Sequence, residues 1–426
     1  MHNSIRNRIM KNICLLIALF SIYLLGNSQS KSVLFIGNSY TGVNNLPLLT
    51  SNLATSAGFT LNFSSQTPGG AQLINHISNS AVINAIYSNS WDYVVLQEQS
   101  QKPSFGHASV SANVYPYAKR LCDTIRMSDS CTQPIFYMTW GRKFGDAGNC
   151  GILPWLCTYD GMDSALAVSY NTMGKQNDAF VSPVGAVWNY IIKNYPTINL
   201  YSSDNSHPSI KGSYAAACTF FSVIFRADPT LITNNSTLST ADAIAIRNAV
   251  KLVCYDSLSK WNVGNFDPEA GFSYNQSGAT VVFSDSSKKS SSHTWNFGDG
   301  NSSSLVNPTH TYTASGTFTA ILITEKCGIS DTIKNIITVA GVGVNEKQNT
   351  LFSIYPNPSE NGLFTLESNT NSKSIIKVYS TTGKLIKSIG FSNGRTQIDL
   401  SSFNKGIYYI EMEVDGLRKI EKVIIY

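Results

Sequence analysis

Between Lys31 and Trp261, short apolar runs alternate with longer segments in which apolar residues recur at the helical spacing. The short runs predict β-strands at Ser32–Ile36, Thr60–Phe63, Tyr93–Leu96 and Ile135–Thr139. The longer segments predict helices at Leu46–Ala57, Ala71–Ile86, Val110–Arg126, Asp163–Gln176 and Ile210–Phe225. Strands that alternate with helices predict a parallel sheet with helices on both faces, and such sheets hold their sites at the carboxyl ends of the strands.

The pattern changes after about Asn265, where short alternating strands are separated by Ser, Asn and Gly turns. Thr317–Thr324 and Thr332–Val339 are the clearest of these strands, and Leu351–Tyr426 is a further strand-rich segment. Because helices are confined to the first half, the sequence predicts separate domains. We expect an α/β domain at 29–264, all-β sandwiches at 265–341 and 351–426, and a polar linker at 342–350.

The first 28 residues have the pattern of a secretory signal peptide. A basic segment precedes the apolar run Ile13–Leu25, and the small residues Gly26 and Ser28 stand at the −3 and −1 positions of a cleavage site after Ser28. The apolar run is shorter than the about 20 residues that a membrane-spanning helix needs. No later segment is long and apolar enough to span, so we expect an exported chain without a transmembrane segment.

Composition narrows the choice of partners. Charged residues make up only 13% of the 426 residues, which excludes a coiled coil and a charge-rich disordered protein. The formal net charge of +5 includes three basic residues of the signal segment, and +5 − 3 leaves +2 for the mature chain. A nearly neutral chain gives no reason to expect a nucleic-acid partner.

The cysteines fit an oxidising compartment. Seven remain after the signal segment, and none forms a CxxC pair, so the sequence does not favour a zinc site. Short spacing favours disulfides between Cys122 and Cys131 and between Cys150 and Cys157, with Cys327 left over. Sequence alone leaves the connectivity open.

The candidate chemistry begins with Ser39, which lies in Gly37-Asn38-Ser39-Tyr40-Thr41 directly after the first strand. A serine hydroxyl needs a base to act as a nucleophile. His207 is the best candidate, because Asp204 three residues earlier can fix its tautomer and orientation. The chain has no GxSxG motif and does not follow the α/β-hydrolase order of catalytic residues.

The GNSYT run and the late DxxHP element resemble those of SGNH (GDSL-type) esterases and lipases, over roughly Lys31–Phe225. The resemblance implies a three-layer α/β/α sandwich with a flavodoxin-like parallel sheet. It also implies that Ser39 is the nucleophile, His207 the general base and Asp204 its orienting acid. The oxyanion hole would use the N–H of Ser39 and the N–H of Gly70, with Gly69 as an alternative.

The third oxyanion donor of the family is the asparagine of a GxND element, and here the chain departs. The corresponding segment reads Leu96-Gln97-Glu98-Gln99-Ser100-Gln101. A glutamine amide can donate the same hydrogen bond. Gln97 is favoured because the related sialate O-acetylesterase-like enzymes carry a Gln-Gly-Glu element there, and Gln99 and Gln101 stay open because all three share one parity.

Two further resemblances concern the β-rich half. Trp295–Gly300 (WNFGDG), Asn307–Tyr312 (NPTHTY) and Gly316–Phe318 (GTF) resemble a PKD module, an immunoglobulin-like sandwich that would serve as a spacer or face a glycan. Within it, Trp295 and Phe297 should alternate inward. The segments YPNP, GLF, VYSTTG, LSSFNKG and IYYI between Tyr355 and Ile410 resemble the C-terminal sorting domain of type IX secretion cargo. That resemblance implies export by the type IX machinery to the surface of a Bacteroidetes-type bacterium.

The sequence therefore predicts a secreted or cell-surface serine esterase that acts on short acyl esters, such as acetyl groups on polysaccharide. No metal or cofactor is expected. The alternative is a non-catalytic surface adhesion protein that binds glycan through the PKD module. A glycosidase role for Glu98 lacks a matched second carboxylate. His76, His293 and His310 are interpreted as structural or exposed.

Overall fold

The computed structural model describes residues 29–340, 351–368, 373–392, 394–414 and 417–426. The predicted signal peptide (1–28) and linker (342–350) lie outside these residues. The chain forms two compact units. One comprises the residues through Thr311 together with Thr317–Thr338, and the other comprises Tyr312–Gly316 and Val339–Tyr426. The domain boundaries given above remain a prediction.

The first unit contains a five-stranded sheet in the order β2-β1-β3-β4-β5, in which all neighbours are parallel. The strands are β1 (Ser30–Ile36), β2 (Thr60–Gln66), β3 (Tyr93–Leu96), β4 (Gln133–Tyr137) and β5 (Phe180–Ser182). The chain leaves β1 toward β2 on one side and then crosses to β3 on the other. The carboxyl ends of β1 and β3 therefore meet where the strand order reverses, which is where parallel sheets form their crevice.

Helices pack on the sheet, and the predicted α/β fold class is confirmed. They are α1 (Ser39–Gly42), α2 (Leu46–Ser56), α3 (Leu73–Ile77), α4 (Ser80–Tyr87), α5 (His107–Asn113), α6 (Tyr115–Ser128), α7 (Tyr159–Gln176), α8 (Val184–Asn194), α9 (Ile210–Phe225) and α10 (Thr240–Val253). The core is one cluster that extends from β1 to the residues after α10.

The helix predictions differ from the structure in two ways. The single helices predicted at Ala71–Ile86 and Val110–Arg126 are each two helices. Asn79 breaks the first, because its side chain accepts the N–H of Ala81 as an N-cap. Pro116 stands in the first turn of α6 and cannot continue α5. The sequence analysis also missed α8, α10 and the three-residue strand β5.

The first sandwich has a three-stranded sheet, β10-β7-β6, and a four-stranded sheet, β12-β11-β8-β9. The strands are β6 (Phe272–Ser277), β7 (Thr280–Asp285), β8 (Ser292–Asn296), β9 (Ser302–Ser303), β10 (Thr309–Thr311), β11 (Gly316–Lys326) and β12 (Ile329–Val339). Trp295 is fully buried with its ring 5.0 Å from Phe272 and 5.2 Å from Phe283, and Phe297 is buried as well. The inward alternation of Trp295 and Phe297 is confirmed.

The second sandwich consists of the sheets β13-β14-β17 and β16-β15-β18-β19. Its strands are β13 (Ser353–Tyr355), β14 (Leu363–Ser368), β15 (Ser374–Ser380), β16 (Leu385–Phe391), β17 (Gly394–Asp399), β18 (Gly406–Val414) and β19 (Leu417–Ile425). It encloses its own core, in which Phe364, Ile376 and Ile410 are fully buried.

The disulfide predictions are half right. Cys150 and Cys157 form a disulfide as expected, but Cys131 pairs with Cys327, 196 positions away, and not with Cys122. Cys122 is buried on the core side of α6, whereas Cys131 lies in the exposed turn before β4. Short spacing brings two cysteines together only if both face the same surface. Cys327 is therefore bonded and not left over.

Candidate active site

Ser39 begins α1 directly after the turn Gly37–Asn38 that follows β1, and this segment (the Ser39 loop) is held from two sides. The Asn38 side chain accepts a hydrogen bond from the N–H of Tyr40 at 3.0 Å and donates one to the carbonyl oxygen of Ala71, also at 3.0 Å. The loop after β2 is thus tied to the Ser39 loop. Ser39 is the first residue of α1, so its N–H has no partner within the helix.

Gln97 supports this loop from below. Its Oε1 accepts hydrogen bonds from the N–H of Asn38 and the hydroxyl of Thr41, both at 2.9 Å, and its Nε2 donates to the carbonyl oxygen of Glu98 at 2.5 Å. A Cβ atom at position 37 would lie 2.6 Å from Oε1, which explains the glycine there. The amide is completely buried and already bonded. The preference for Gln97 as oxyanion donor is therefore corrected: it positions the loop.

The structure brings the three predicted triad residues together. His207 Nε2 lies 2.9 Å from Ser39 Oγ, and His207 Nδ1 lies 2.5 Å from Asp204 Oδ2. Asp204 Oδ1 also accepts the Ser202 hydroxyl and the N–H groups of Ser206 and His207. Slight burial would raise the pKa of Asp204, but these hydrogen bonds, that of His207 first, hold it well below its usual range. Asp204 thus remains a carboxylate beside the imidazole.

Aromatic side chains that the sequence analysis did not assign hold the loop of the base. The Tyr40 hydroxyl lies 2.6 Å from Ser206 Oγ, and the Trp140 indole N–H donates to the Ser206 carbonyl oxygen at 3.1 Å. The Tyr40 ring stacks on Trp140 at 5.0 Å and meets His207 edge-on at 5.1 Å. The one available sequence signal was the position of Tyr40 next to the predicted nucleophile.

The remaining predicted oxyanion groups lie on the neighbouring loops. Gly70 has a φ of +70° in the turn after β2, directly before the Ala71 carbonyl that contacts the Ser39 loop. Gln101 Nε2 donates one of its two N–H groups to Asp146 at 2.6 Å. Gln99 is half-buried, and its Nε2 bonds only side chains of its own loop, Gln101 at 3.0 Å and Ser100 at 3.5 Å.

Glu98 faces the interior. Its two carboxyl oxygens accept the N–H groups of Gln99 at 2.6 Å and Leu73 at 3.2 Å, and burial raises its pKa to about 7. Both oxygens are thus engaged by backbone N–H groups, which tie the loop after β3 to the start of α3.

The other histidines agree with a structural interpretation. His76 is completely buried on α3, and burial lowers its pKa. In the first sandwich, His293 lies 3.0 Å from Asp285 and His310 lies 2.7 Å from Asp299. Across the described ranges, no group of three or more His, Cys, Asp or Glu residues could hold a metal ion. Within the same ranges, none of the helices has the length and apolar character needed to cross a bilayer.

Two family models match the β-rich half of the chain. Residues 268–340 match the PKD domain, and residues 353–426 match the secretion system C-terminal sorting domain. Both expectations from the sequence are confirmed. The sorting domain indicates secretion and delivery to the cell surface by the type IX system.

Solved structures are similar to the first part of the chain. A DUF4886 family protein from Bacteroides uniformis has 17% identity and a TM-score of 0.46, covering 54% of this chain and 95% of that one. A candidate SGNH hydrolase from Slackia heliotrinireducens has 24% identity and a TM-score of 0.38, covering 45% and 98%. An acetyl xylan esterase has 13% identity and a TM-score of 0.34, covering 45% and 99%.

Among curated proteins, beta-agarase A from Zobellia galactanivorans is 25% identical over 86 residues, which are 20% of this chain. The match spans only 16% of the length of the agarase.

Proposed function

We propose that the chain is a secreted serine esterase in which Ser39, His207 and Asp204 form the catalytic triad. One observation carries the proposal: a continuous chain of hydrogen bonds runs from Ser39 Oγ through both ring nitrogens of His207 to the carboxylate of Asp204. Ser39 and His207, which are 168 positions apart, meet at the carboxyl ends of the strands, where parallel sheets hold their sites.

The proton positions follow from the partners. Asp204 is ionised and can only accept a hydrogen bond. Nδ1 of His207 therefore carries a hydrogen and donates a hydrogen bond to Asp204. Nε2 then has a lone pair that accepts the hydrogen of the Ser39 hydroxyl. As Ser39 Oγ bonds to the ester carbonyl carbon, Nε2 takes its proton and then delivers it to the departing alcohol. Nε2 then takes a proton from a water molecule, whose oxygen bonds to the acyl carbon. As the bond from that carbon to Ser39 Oγ breaks, Nε2 returns the proton to Oγ, which releases the acid and restores the free serine.

The oxyanion that forms in each step needs donors aimed at it. The N–H of Ser39, free of helix partners, and the N–H of Gly70 are two. For the third we propose Gln99, because the Gln97 amide is completely buried and Gln101 Nε2 is held by the Asp146 carboxylate, whereas Gln99 is partly exposed. Gln99 Nε2 contacts only polar side chains of its own loop, which a substrate oxygen can replace.

The substrate we propose is a short acyl ester, acetyl first, on a polysaccharide met at the cell surface. The sorting domain supports this proposal, because it directs the chain to the cell surface, where such polysaccharides are met.

The test is hydrolysis of p-nitrophenyl acetate by the full mature chain. Ser39→Ala should lower kcat/KM by about 10⁴-fold or more, since the nucleophile is lost. Ser78→Ala, on the surface after α3, is the matched control and should retain activity. A fluorophosphonate should label Ser39. Equal rates for the wild type and Ser39→Ala would overturn the proposal and favour the adhesion alternative.

The oxyanion assignment has its own experiment. Gln99→Ala should lower kcat by about 10²–10³-fold with little change in KM, because the lost donor acts mainly in the transition state. Gln101→Ala is the neighbouring control. If Gln101→Ala costs as much kcat as Gln99→Ala, Gln99 is not the third donor.

A further inference from the structure

A basic side chain near the triad has unused hydrogen-bonding capacity. Arg142 lies in the loop after β4, and both of its neighbours contact the segment that carries the base. The Gly141 carbonyl oxygen accepts the Tyr201 hydroxyl at 2.6 Å, and the Lys143 N–H donates to the Asn205 carbonyl oxygen at 3.0 Å. The backbone of Arg142 is therefore fixed beside the base.

The guanidinium group lies between this segment and the loop after β3. Its Nη1 is 3.4 Å from Asp146 Oδ1, and Asp146 in turn accepts Gln101 Nε2 at 2.6 Å. Burial raises the pKa of the Tyr40 hydroxyl, and the charge of Arg142 opposes that rise, so the guanidinium is within electrostatic range of Tyr40. The loops that it joins are those of the base and of the proposed third oxyanion donor.

Most of the donors of Arg142 are unused. A guanidinium has five N–H groups, and among the described residues only Nη1 has a partner. The Nε atom is buried without a partner, while 30% of the side chain is exposed. Asp146 engages only one of these donors, because Gln101 and Asn149 bond its Oδ2 and, in the described part of the chain, its Oδ1 meets Nη1 alone. A buried donor without a partner is costly, which points to a ligand that completes it.

We propose that Arg142 binds an anionic group, a carboxylate or a sulfate, on the saccharide that carries the ester. This inference rests on the proposed esterase function and names its substrate class: O-acylated acidic polysaccharide. The planar guanidinium matches both anions because it offers two parallel N–H groups to two oxygens. Arg142 determines specificity and takes no part in the proton transfers.

The experiment measures acetate release by the full mature chain from three polymers acetylated to the same degree: polygalacturonate, sulfated galactan and neutral xylan. The wild type should prefer at least one acidic polymer over xylan. Arg142→Gln should lower the ratio of kcat/KM on that polymer to kcat/KM on xylan by roughly 10- to 100-fold, because a charged hydrogen-bond pair is lost. The polymer with the larger loss identifies carboxylate or sulfate as the bound group.

Two variants guard the interpretation. Arg142→Lys keeps a charge near Asp146 and should fold, with an intermediate loss of the ratio. Lys143→Gln removes the adjacent exposed charge and should leave the ratio unchanged. Equal ratios in the wild type and both Arg142 variants, or an equal loss in Lys143→Gln, would overturn the inference. Activity on p-nitrophenyl acetate without any preference for acidic polymers would also overturn it while leaving the esterase proposal intact.

Discussion

The two ends of β3 each carry a carboxyl group, and the two groups are in opposite electrostatic states. At the amino end, burial would raise the pKa of Asp92, but the Lys31 ammonium at 2.9 Å and the Ser32 N–H at 2.8 Å lower it below its usual value. At the carboxyl end, Glu98 has no cation in contact, and burial raises its pKa to about 7. One strand thus joins a carboxylate stabilised by an ion pair to a carboxyl group whose charged form is disfavoured by burial.

The amino and carboxyl ends of the strands also differ in what surrounds them. The amino ends of the strands face a cavity of about 850 Å³ that is bordered by the Cys131–Cys327 disulfide and the Arg226–Asp267 ion pair. The carboxyl ends hold the triad, whose Asp204 side chain is 48% exposed. We conclude that the amino end connects the sheet to the first sandwich, whereas the carboxyl end presents reactive groups to solvent.

The largest expected effect tests whether chemistry belongs to the carboxyl end alone. Asp204→Asn should lower kcat by about 10⁴-fold, because the amide stabilises the wrong imidazole tautomer. Asp92→Asn, the same change at the amino end, should leave kcat near the wild-type value. Steady-state kinetics on p-nitrophenyl acetate measure both. Comparable losses of kcat in the two variants would contradict the comparison.

The next effect compares the disulfides by loop length. Replacing Cys131 and Cys327 together with Ser should lower the free energy of unfolding by about 5 kcal/mol, since the bond closes a loop of 196 residues. The Cys150–Cys157 disulfide spans only 7 positions. The same double replacement there should lower the free energy of unfolding by about 2 kcal/mol. Urea unfolding under oxidising conditions measures the difference. A larger loss for the short loop would show that chain entropy does not explain the stabilisation.

The smallest effect concerns pH. The folded pKa of Glu98, about 7, exceeds its ordinary value of 4.5, so its contribution to stability is full below pH 4.5 and is lost as pH rises through 7. The free energy of unfolding of the wild type relative to Glu98→Gln should therefore fall by up to about 3 kcal/mol between pH 4.5 and 8. Burial also raises the pKa of Asp163. Because Asp163 is present in both proteins, its contribution cancels in the difference between their free energies of unfolding.

Asp92 titrates in the opposite direction. Its folded pKa is lowered, so its contribution is present above its ordinary pKa and is lost as pH falls through the lowered value. Relative to Asp92→Asn, the wild type should lose stability only on the acid side. If the free energies of unfolding of the wild type and Glu98→Gln change with pH in the same way between pH 4.5 and 8, the two ends of β3 do not differ as stated.

Local patterns predicted much of the fold and part of the candidate site. The apolar runs identified four of the five parallel strands, and Ser39, His207 and Asp204 were chosen because their residue types and order fit one chemistry. Gln97 shows the limit of such reasoning. Strand parity places three glutamines on one side of the strand. Only packing decides that the Gln97 amide lies beneath Gly37 and accepts the N–H of Asn38 there.

The sequence by itself determined the alternation of strands and helices, the PKD and sorting domains and the residue types available for catalysis, because these depend on periodicity and local motifs. The tertiary structure decided which groups meet: Cys131 with Cys327, Tyr40 with Ser206, and Gln101 with Asp146. Each of these contacts joins loops from different strands, and their distances are set by how the sheet and helices pack. Local spacing along the chain contains no information about such distances.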